Sequence, residues 1–405
     1  MRSSFLDSFD ERVGLLRSFR IGAEVGAVAS TFVLASGYWP VTEHVVYMAL
    51  LCLFAMRVAT SAWEPPNGIT SLALFSFLLF LSYLLLSSIW STSTGLALAY
   101  GLEATLIAFI GILIGAAVPL RSILRGLVAG VILVTVHAYL MSPADFPFDE
   151  WGLFTNPSTL TFLVGVGFIA LLGAARRSVP SLAAVVIIGF WFISILFGIQ
   201  NIIFTSLFSL LGAALVLAVS FSLRFFGPAA KSRIVLGFIS IAAALFVTAW
   251  VFREQLLRPL GLGNDFSGRI DLWSQYFDAL FWKPILGSGW GSSVGWPPLA
   301  EDRLYPVRDF FPAHQGFLDA GLMLGVIGIG LLLATITLIA IAGFQMVIET
   351  PAQWSFSFTP ALLVYMVLND LMATSLVRLV GLFLLGLMVG ILLARFHRGK
   401  VFRLP

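Results

Sequence analysis

Long apolar runs dominate this chain, and they constrain its fold more than any other feature. A helix that crosses a membrane needs about 20 mostly apolar residues. Only 11% of the residues are charged, whereas soluble domains carry about a quarter. We therefore predict an all-α, polytopic membrane protein with about twelve transmembrane helices. The predicted spans are residues 21–38, 43–60, 70–90, 96–118, 120–141, 158–175, 181–198, 201–222, 232–252, 318–345, 356–373 and 374–394.

The distribution of basic residues predicts the orientation of these spans. Most of the 23 Lys and Arg residues fall on the inner side when both termini are placed in the cytoplasm, and the short outer loops carry none. This alternation follows the positive-inside rule, from which long loops are exempt. The polar residues 1–20 are interpreted as a cytoplasmic leader before a retained first span. A net charge of +3 and a single cysteine give no indication of nucleic-acid binding, a disulfide framework or a Cys/His metal site.

One connection is much longer than the others. The chain divides into a leader with spans one to nine (1–252), a large outer loop that is partly helical (253–316), and spans ten to twelve with a cytoplasmic tail (317–405). Long ordered loops in compact proteins are usually functional. We therefore expect the functional residues in and around this loop.

The loop contains a segment with helical spacing. Arg269, Trp273 and Tyr276 fall at i, i+4 and i+7, so they share one helix face. A guanidinium flanked by aromatic rings suits a phosphate and a sugar. The alternative is an interfacial amphipathic helix with an aromatic belt, which the pattern alone favours.

A glycine-rich segment, Gly287-Ser288-Gly289, follows in the same loop. Glycines allow backbone N–H groups to approach an anion closely. The strand and helix context of known phosphate loops is missing, so a plain turn is the favoured interpretation.

His314 is the strongest single candidate for a catalytic residue, because it directly follows Pro312-Ala313 at the opening of the tenth span. We predict that it lies in the first turn of a long helix, where the positive end of the helix dipole keeps imidazole neutral and basic. A neutral histidine suits general-base catalysis. The alternative is an interfacial histidine in contact with water, which is our interpretation of the remaining three, His44, His137 and His397.

Ionisable residues inside predicted spans are functional candidates by default. Glu103 lies about two turns into the fourth span, and Arg378 lies about one turn into the twelfth, near Asn369 and Asp370. All four belong to the outer halves of their spans. Glu24, at the inner end of the first span, is expected to reach toward water. This bias toward the outer side favours an outward-facing reaction site over a transport path, which places polar groups near the midplane.

Together these motifs resemble the superfamily of O-antigen ligases, O-antigen polymerases and exopolysaccharide polymerases. The resemblance includes Asn369-Asp370 and residues 152–157, besides the predicted topology. The motifs of the loop region are Gly268-Arg269, Trp273, Pro284, Gly287-Ser288-Gly289, Ala313-His314-Gln315-Gly316-Phe317-Leu318, Gly321 and Gly325-Val326-Ile327-Gly328.

The resemblance implies an inverting glycosyltransferase of the GT-C kind that needs neither a metal nor a cofactor. Its donor is a glycan linked to undecaprenyl diphosphate, held at the periplasmic face of the bacterial inner membrane. Arg269 matches the arginine of the family that holds the diphosphate, and His314 matches the proposed base. The expected partners are this donor, a glycan or lipid-linked acceptor and membrane lipid. A flippase and a chain-length regulator are further candidates, and no nucleic acid is expected.

The chain departs from the family at two places. Gln315 stands where asparagine is usual, and residues 198–205 lack a second arginine that many members carry. Arg378, Arg308 and Arg303 are the candidates for that second phosphate contact. Glu103, Trp273, Tyr276, Gln315, Asn369 and Asp370 are supporting candidates. A polymerase is the favoured function, a ligase that transfers a finished glycan is the alternative, and a lipid or sugar transporter is the alternative from another class.

Overall fold

The computed structural model describes residues 21–33, 68–91, 94–141, 157–174, 203–227, 230–238, 240, 244, 269–291, 315–349, 354–371 and 376–401. Within these residues all regular structure is helical. The α-helices are α1 (Ile21–Val33), α2 (Ile69–Leu86), α3 (Thr94–Ala117), α4 (Leu120–Met141), α5 (Pro157–Ala174), α6 (Ile203–Ser222), α7 (Arg269–Leu280), α8 (Gly316–Glu349), α9 (Phe358–Asp370) and α10 (Leu379–Val401). Residues 230–238 are also helical, and short 3₁₀ turns occupy Ser87–Trp90, Leu223–Phe225 and Trp354–Ser357.

Several of these helices have the length and composition of membrane spans. Ile69–Trp90, Ala97–Ala117 and Gly316–Glu349 are each long and apolar enough to cross a bilayer, and five shorter helices among the described residues are also apolar. The prediction of an all-α membrane protein is therefore confirmed. The number of twelve spans and the sidedness of the loop stay predictions. The predicted spans 43–60 and 181–198 lie outside the described residues, as does most of 232–252.

The predicted boundaries agree with the helices except near two functional candidates. Helix α10 begins at Leu379, so Arg378 precedes the helix and is not one turn inside it. Helix α8 begins at Gly316 and is therefore longer than predicted, and its backbone is broken at Gly325. The prediction that His314 lies in the first turn of this helix stays a prediction. His314 itself lies outside the described residues.

The most extensive helix contact joins α3 to α10 through four glycines. Gly111 and Gly115 of α3 face Gly386 and Gly390 of α10, and a Cβ on any of them would overlap backbone atoms of the other helix. A Cβ on Gly115 would also lie 2.8 Å from the Gly390 Cα atom. Two G-x-x-x-G motifs therefore pack against each other, as is common in membranes, where small residues permit close backbone approach.

Polar contacts join other helices within the apolar core. Ser76 of α2 and Thr335 of α8 form a buried hydrogen bond of 3.0 Å. The Ser122 hydroxyl of α4 donates to the Glu24 carboxylate of α1 at 3.1 Å. Glu24 is only 7% exposed, so the expectation that it reaches toward water is wrong. A hydroxyl on the neighbouring helix satisfies the carboxylate instead.

Candidate functional site

A break in helix α8 at Gly325 lies at the contact between this helix and the glycine-rich segment. Gly325 has φ 65° and ψ −168°, a conformation that is essentially restricted to glycine. A Cβ at this position would overlap the Ile285 carbonyl. The break interrupts the helical hydrogen bonds on both sides of Gly325, and membrane proteins satisfy such freed groups with neighbouring protein.

The glycine-rich loop supplies the missing hydrogen-bond partners. The N–H groups of Ser288 and Gly289 donate to the carbonyls of Leu322 and Met323 at 2.9 and 2.8 Å. In the other direction, the Val326 N–H donates to the Pro284 carbonyl at 2.8 Å. Residues 284–289 and the broken turn of α8 thus form one interlocked unit.

This arrangement decides between the two interpretations of the glycines. The Gly287 N–H donates to the Lys283 carbonyl at 3.0 Å, and the next two N–H groups are used by α8. Gly287 has φ 68°, and a Cβ there would overlap the backbone of Met323. The structure therefore agrees with the plain turn, because these amides bind the protein's own carbonyls rather than an anion.

The same loop also packs on the end of α2. The Trp90 indole N–H donates to the Leu286 carbonyl at 3.1 Å. The Tyr83 hydroxyl donates to the Leu324 carbonyl, also at 3.1 Å. The backbone N–H of Trp290 donates to the Ser87 hydroxyl at 2.8 Å. The predicted topology places this end of α2 and the start of α8 on the same side. The contacts are consistent with that arrangement.

Helix α7 confirms the helix predicted from the spacing of Arg269, Trp273 and Tyr276. Tyr276 is 7% exposed and packs with Leu318 and Leu322 of α8, and Trp273 is partly buried against the same group. The opposite face of α7, with Ser274 and Asp278, is exposed. The aromatic face therefore docks α7 on the first two turns of α8. Arg269 is the first residue of α7 and its position lies on that docked face.

Burial, together with the nearby Asp319 carboxylate, raises the pKa of Tyr276 to about 12. Both causes disfavour the tyrosinate, because desolvation and a like charge each penalise an anion. Tyr276 therefore keeps its proton throughout the physiological pH range.

Gln315 caps the start of α8. Its side-chain carbonyl accepts a hydrogen bond from the Leu318 N–H, and its backbone carbonyl accepts one from the Asp319 N–H at 3.0 Å. The first N–H groups of a helix have no partner within it, and a side-chain oxygen at the cap position satisfies one of them. Gln315 thus has a structural role one residue after His314.

A buried charged group lies beside this cap. Asp319 and Asp370 are both 0% exposed, and Arg378 interacts electrostatically with both carboxylates. The Leu376 N–H donates to Asp370 Oδ1 at 2.9 Å. The other carboxylate oxygen lies against Gly316, where a Cβ would overlap it. We call Asp319, Asp370 and Arg378 the charge cluster.

The structure brings together only part of the predicted site. Tyr276, Gln315, Asp370 and Arg378 lie around the start of α8. Asn369 is buried beside Asp370, and Trp273 lies against the neighbouring group. Glu103 lies half-buried on α3. The remaining candidates lie outside the described residues: His314, Arg303, Arg308 and the side chain of Arg269.

Sequence reasoning missed Asp319. The rule that identified Glu103 and Arg378, an ionisable residue within an apolar span, applies equally to Asp319. Asp319 lies at the edge of the predicted tenth span, residues 318–345. Among the described residues, no group of three or more His, Cys, Asp or Glu has the arrangement of a metal site.

These features define an integral membrane protein in which residues 284–289 interlock with a broken apolar helix. Comparison with known families then narrows the class. The family model described as O-antigen ligase matches residues 205–333. The match runs from α6 into α8 and includes the positions of Arg269 and His314. It confirms the resemblance to the O-antigen ligase and polymerase superfamily, whose members are glycosyltransferase-like enzymes. No curated protein matches the chain.

Proposed function

We propose that this protein is a glycosyltransferase that polymerises lipid-linked repeat units of a surface polysaccharide at the periplasmic face of the bacterial inner membrane. One observation supports this best. The helix that begins at Arg269 is docked through Tyr276 on the start of α8, one turn beyond the position of His314. This contact lies within the region matched by the O-antigen ligase model. It draws together the segments that carry the two proposed reactive side chains.

The proposed reaction transfers a glycan from undecaprenyl diphosphate to a hydroxyl group of the acceptor. His314 accepts the proton of that hydroxyl, whose oxygen attacks the anomeric carbon of the donor. The bond between this carbon and the diphosphate oxygen breaks, with inversion, and undecaprenyl diphosphate leaves. Arg269 stabilises the negative charge that develops on the leaving diphosphate. Positive side chains supply this stabilisation, so the proposed step requires neither a metal nor a cofactor.

A second positive group is expected at the diphosphate, because residues 198–205 lack the arginine that many family members carry there. Arg303, Arg308 and Arg378 are the candidates. Arg378 lies within electrostatic range of two buried carboxylates, Asp319 and Asp370, and Arg303 and Arg308 lie outside the described residues. Trp273, Tyr276, Gln315, Asn369 and Asp370 support the site through packing and capping. Glu103, on α3, is proposed as a further supporting residue of the site.

The position of the break in α8 argues against the transporter alternative. Residues 326–349 follow the break and rise about 36 Å at about 1.5 Å per residue, which is enough to cross a hydrocarbon core of about 30 Å. The break therefore falls near one membrane surface, whereas transporters place broken helices near the midplane. A surface position suits a reaction that meets its acceptor in the periplasm.

The ligase alternative differs only in the acceptor, which for a ligase is a lipid A core or another glycan carrier. Deletion of the gene distinguishes the two, with the products separated by length on gels. Single repeat units on the lipid carrier indicate a polymerase, and long chains that are not attached to the acceptor indicate a ligase. Contacts with a flippase and a chain-length regulator are part of the polymerase proposal.

The reactive residues are tested in the deletion strain, complemented with Arg269→Ala or His314→Ala. We expect both variants to lose polymer and to accumulate lipid-linked repeat units, since each removes charge stabilisation or the base. Arg233→Ala and His397→Ala are the matched controls, because Arg233 is exposed on the helical stretch 230–238 and His397 is interpreted as an interfacial histidine. Full-length polymer from both test variants, at normal protein levels in the membrane, would refute the assignment.

A further inference from the structure

We propose that residues 281–286, together with Phe277, form a lipid-binding surface that lies in the interfacial layer of the membrane beside the candidate site. We call these residues the apolar turn. Its partner is a phospholipid bilayer rather than another protein. The proposal is carried by the exposed apolar side chains of the turn and by its hydrogen bonds to two helices that are long enough to cross a membrane.

The apolar turn follows α7 directly and presents large apolar side chains on its surface. Phe281, Trp282 and Ile285 are 75%, 64% and 60% exposed, and all of residues 281–286 are exposed. Phe277 is exposed as well, and its carbonyl accepts the Phe281 N–H at 3.3 Å, so the two phenylalanines lie one helical turn apart. An apolar surface of this extent is unusual in water and indicates a partner or a membrane.

Hydrogen bonds fix the level of the apolar turn relative to the helices. Trp90, the last residue of the apolar stretch Ile69–Trp90, donates to the Leu286 carbonyl. This stretch rises about 33 Å at about 1.5 Å per residue, so Trp90 lies near one surface of a hydrocarbon core of about 30 Å. The Val326 N–H, which begins the long part of α8, donates to the Pro284 carbonyl. The turn therefore lies where both helices leave the hydrocarbon core.

The ends of these two helices continue the apolar surface. Ile89, in the 3₁₀ turn after α2, is exposed, and so are Val326 and Ile327 just after the break in α8. Exposed apolar side chains on membrane helices are solvated by lipid tails, which are as apolar as the side chains themselves. The apolar turn thus borders surfaces that lipid is expected to cover, and this continuity favours lipid as its partner.

The composition of the apolar turn suits the interfacial layer better than the hydrocarbon core. Tryptophan is enriched at this level, where its ring is apolar and its N–H can reach water. Lys283 is exposed beside Trp282, and a lysine at this depth extends its ammonium group to lipid phosphates. Asp278 is also exposed at the border of the turn. The hydrocarbon core would exclude both charges.

This surface differs from the aromatic face that the sequence suggested for an interfacial helix. Trp273 and Tyr276 pack on α8, so the side chains available to lipid belong to the apolar turn instead. The diphosphate of a lipid-linked donor lies at headgroup level, and the turn would hold the end of α7 at that level. This last consequence rests on the proposed function, whereas the lipid contact itself does not.

Spin labels test the depth of the apolar turn without any measurement of activity. The full chain carries Cys52→Ser, which removes its single natural cysteine, and one labelled cysteine from Phe281→Cys, Trp282→Cys or Ile285→Cys. Each variant is placed in nanodiscs of phosphatidylethanolamine and phosphatidylglycerol. Power saturation then compares collisions of the label with oxygen, which concentrates in lipid, and with a nickel chelate, which stays in water.

Two reference positions calibrate the ratio of oxygen to nickel collisions. Phe75→Cys is the lipid reference, because Phe75 is exposed within α2. Arg233→Cys is the aqueous reference, because Arg233 is exposed on the helical stretch 230–238. We expect the labels of the apolar turn to give a ratio several-fold above that of the Arg233 label and below that of the Phe75 label.

The remaining outcomes contradict the proposal in different ways. A ratio equal to that of the Arg233 label would place the turn in water, and one equal to that of the Phe75 label would place it in the hydrocarbon core. Labels reached by neither reagent would show that protein, such as a second copy of the chain, covers the turn. Three separate variants keep the test open if one does not fold. Failure of the proposed function would appear in the polymer assay and leave these ratios unchanged.

Discussion

Gln315 shows how a departure from the family pattern is accommodated by a single side chain. Family members usually carry asparagine here, and asparagine is among the best residues for a helix N-cap. The glutamine side chain performs the same task by accepting the Leu318 N–H. The departure therefore concerns the start of α8 rather than the proposed chemistry of His314.

This role of Gln315 predicts a difference between two substitutions. Gln315→Ala should lower the free energy of unfolding by about 1 kcal/mol, because the capped N–H loses its partner. Gln315→Asn should retain the stability of the wild type. Denaturant titration of the purified protein in detergent measures both. Equal destabilisation by Asn and Ala would show that the cap contributes nothing.

The interlock between residues 284–289 and α8 gives the glycine motifs a common explanation. Gly287 and Gly325 lie at positions where backbones approach each other too closely for a side chain. The resemblance to the superfamily rested partly on these motifs, and they prove to be structural. They fix residues 284–289 to the broken helix. Helix α7, which precedes these residues, is docked on the same part of α8.

The break in α8 yields a prediction for its glycine. Gly325→Ala should destabilise the protein by about 1–3 kcal/mol, because alanine is strained at this backbone conformation and its Cβ would overlap the Ile285 carbonyl. Gly330→Ala is the matched control on the same helix, since it is exposed and a Cβ there has no atom within 4 Å. Thermal unfolding in detergent compares the two. A midpoint for Gly325→Ala at or above that of the control would contradict the interlock.

The packing of α3 against α10 joins parts of the chain that are more than 250 residues apart. Since lipid is as apolar as the side chains, association in the membrane depends on close packing rather than on the hydrophobic effect. The four glycines provide that closeness. Arg378 directly precedes α10, so this packing also anchors one end of the candidate site.

Disruption of this contact should affect the protein as a whole. Gly111→Leu should lower the free energy of unfolding by about 3 kcal/mol, in the upper range for overpacking a tight contact. Gly95→Leu on the same helix is the matched control, because Gly95 is exposed and a Cβ there has no atom within 4 Å. Unfolding by a denaturing detergent, followed by circular dichroism, measures both. A similar effect of the two substitutions would argue against the glycine interface.

Within the described residues, most of the helix boundaries and the helix beginning at Arg269 were predictable from the sequence, because they depend on local properties. An apolar run must be long enough to cross the membrane, and a period of 3.6 places Trp273 and Tyr276 on one face. The position of Arg378 was predicted less well. The apolar run does not show that α10 begins at Leu379, the residue after Arg378. The burial of Glu24 required Ser122, a partner almost a hundred residues away.

The sequence by itself thus determined the membrane class and the family resemblance, and the long loop stays its prediction. Tertiary structure alone decided that the glycines form a turn on a broken helix and that the Asp370 carboxylate lies against Gly316. The physical reason is that these features are pairings between distant segments. Hydropathy and charge are summed along the chain, whereas the partner of a backbone N–H or a buried carboxylate is set by which helices pack together.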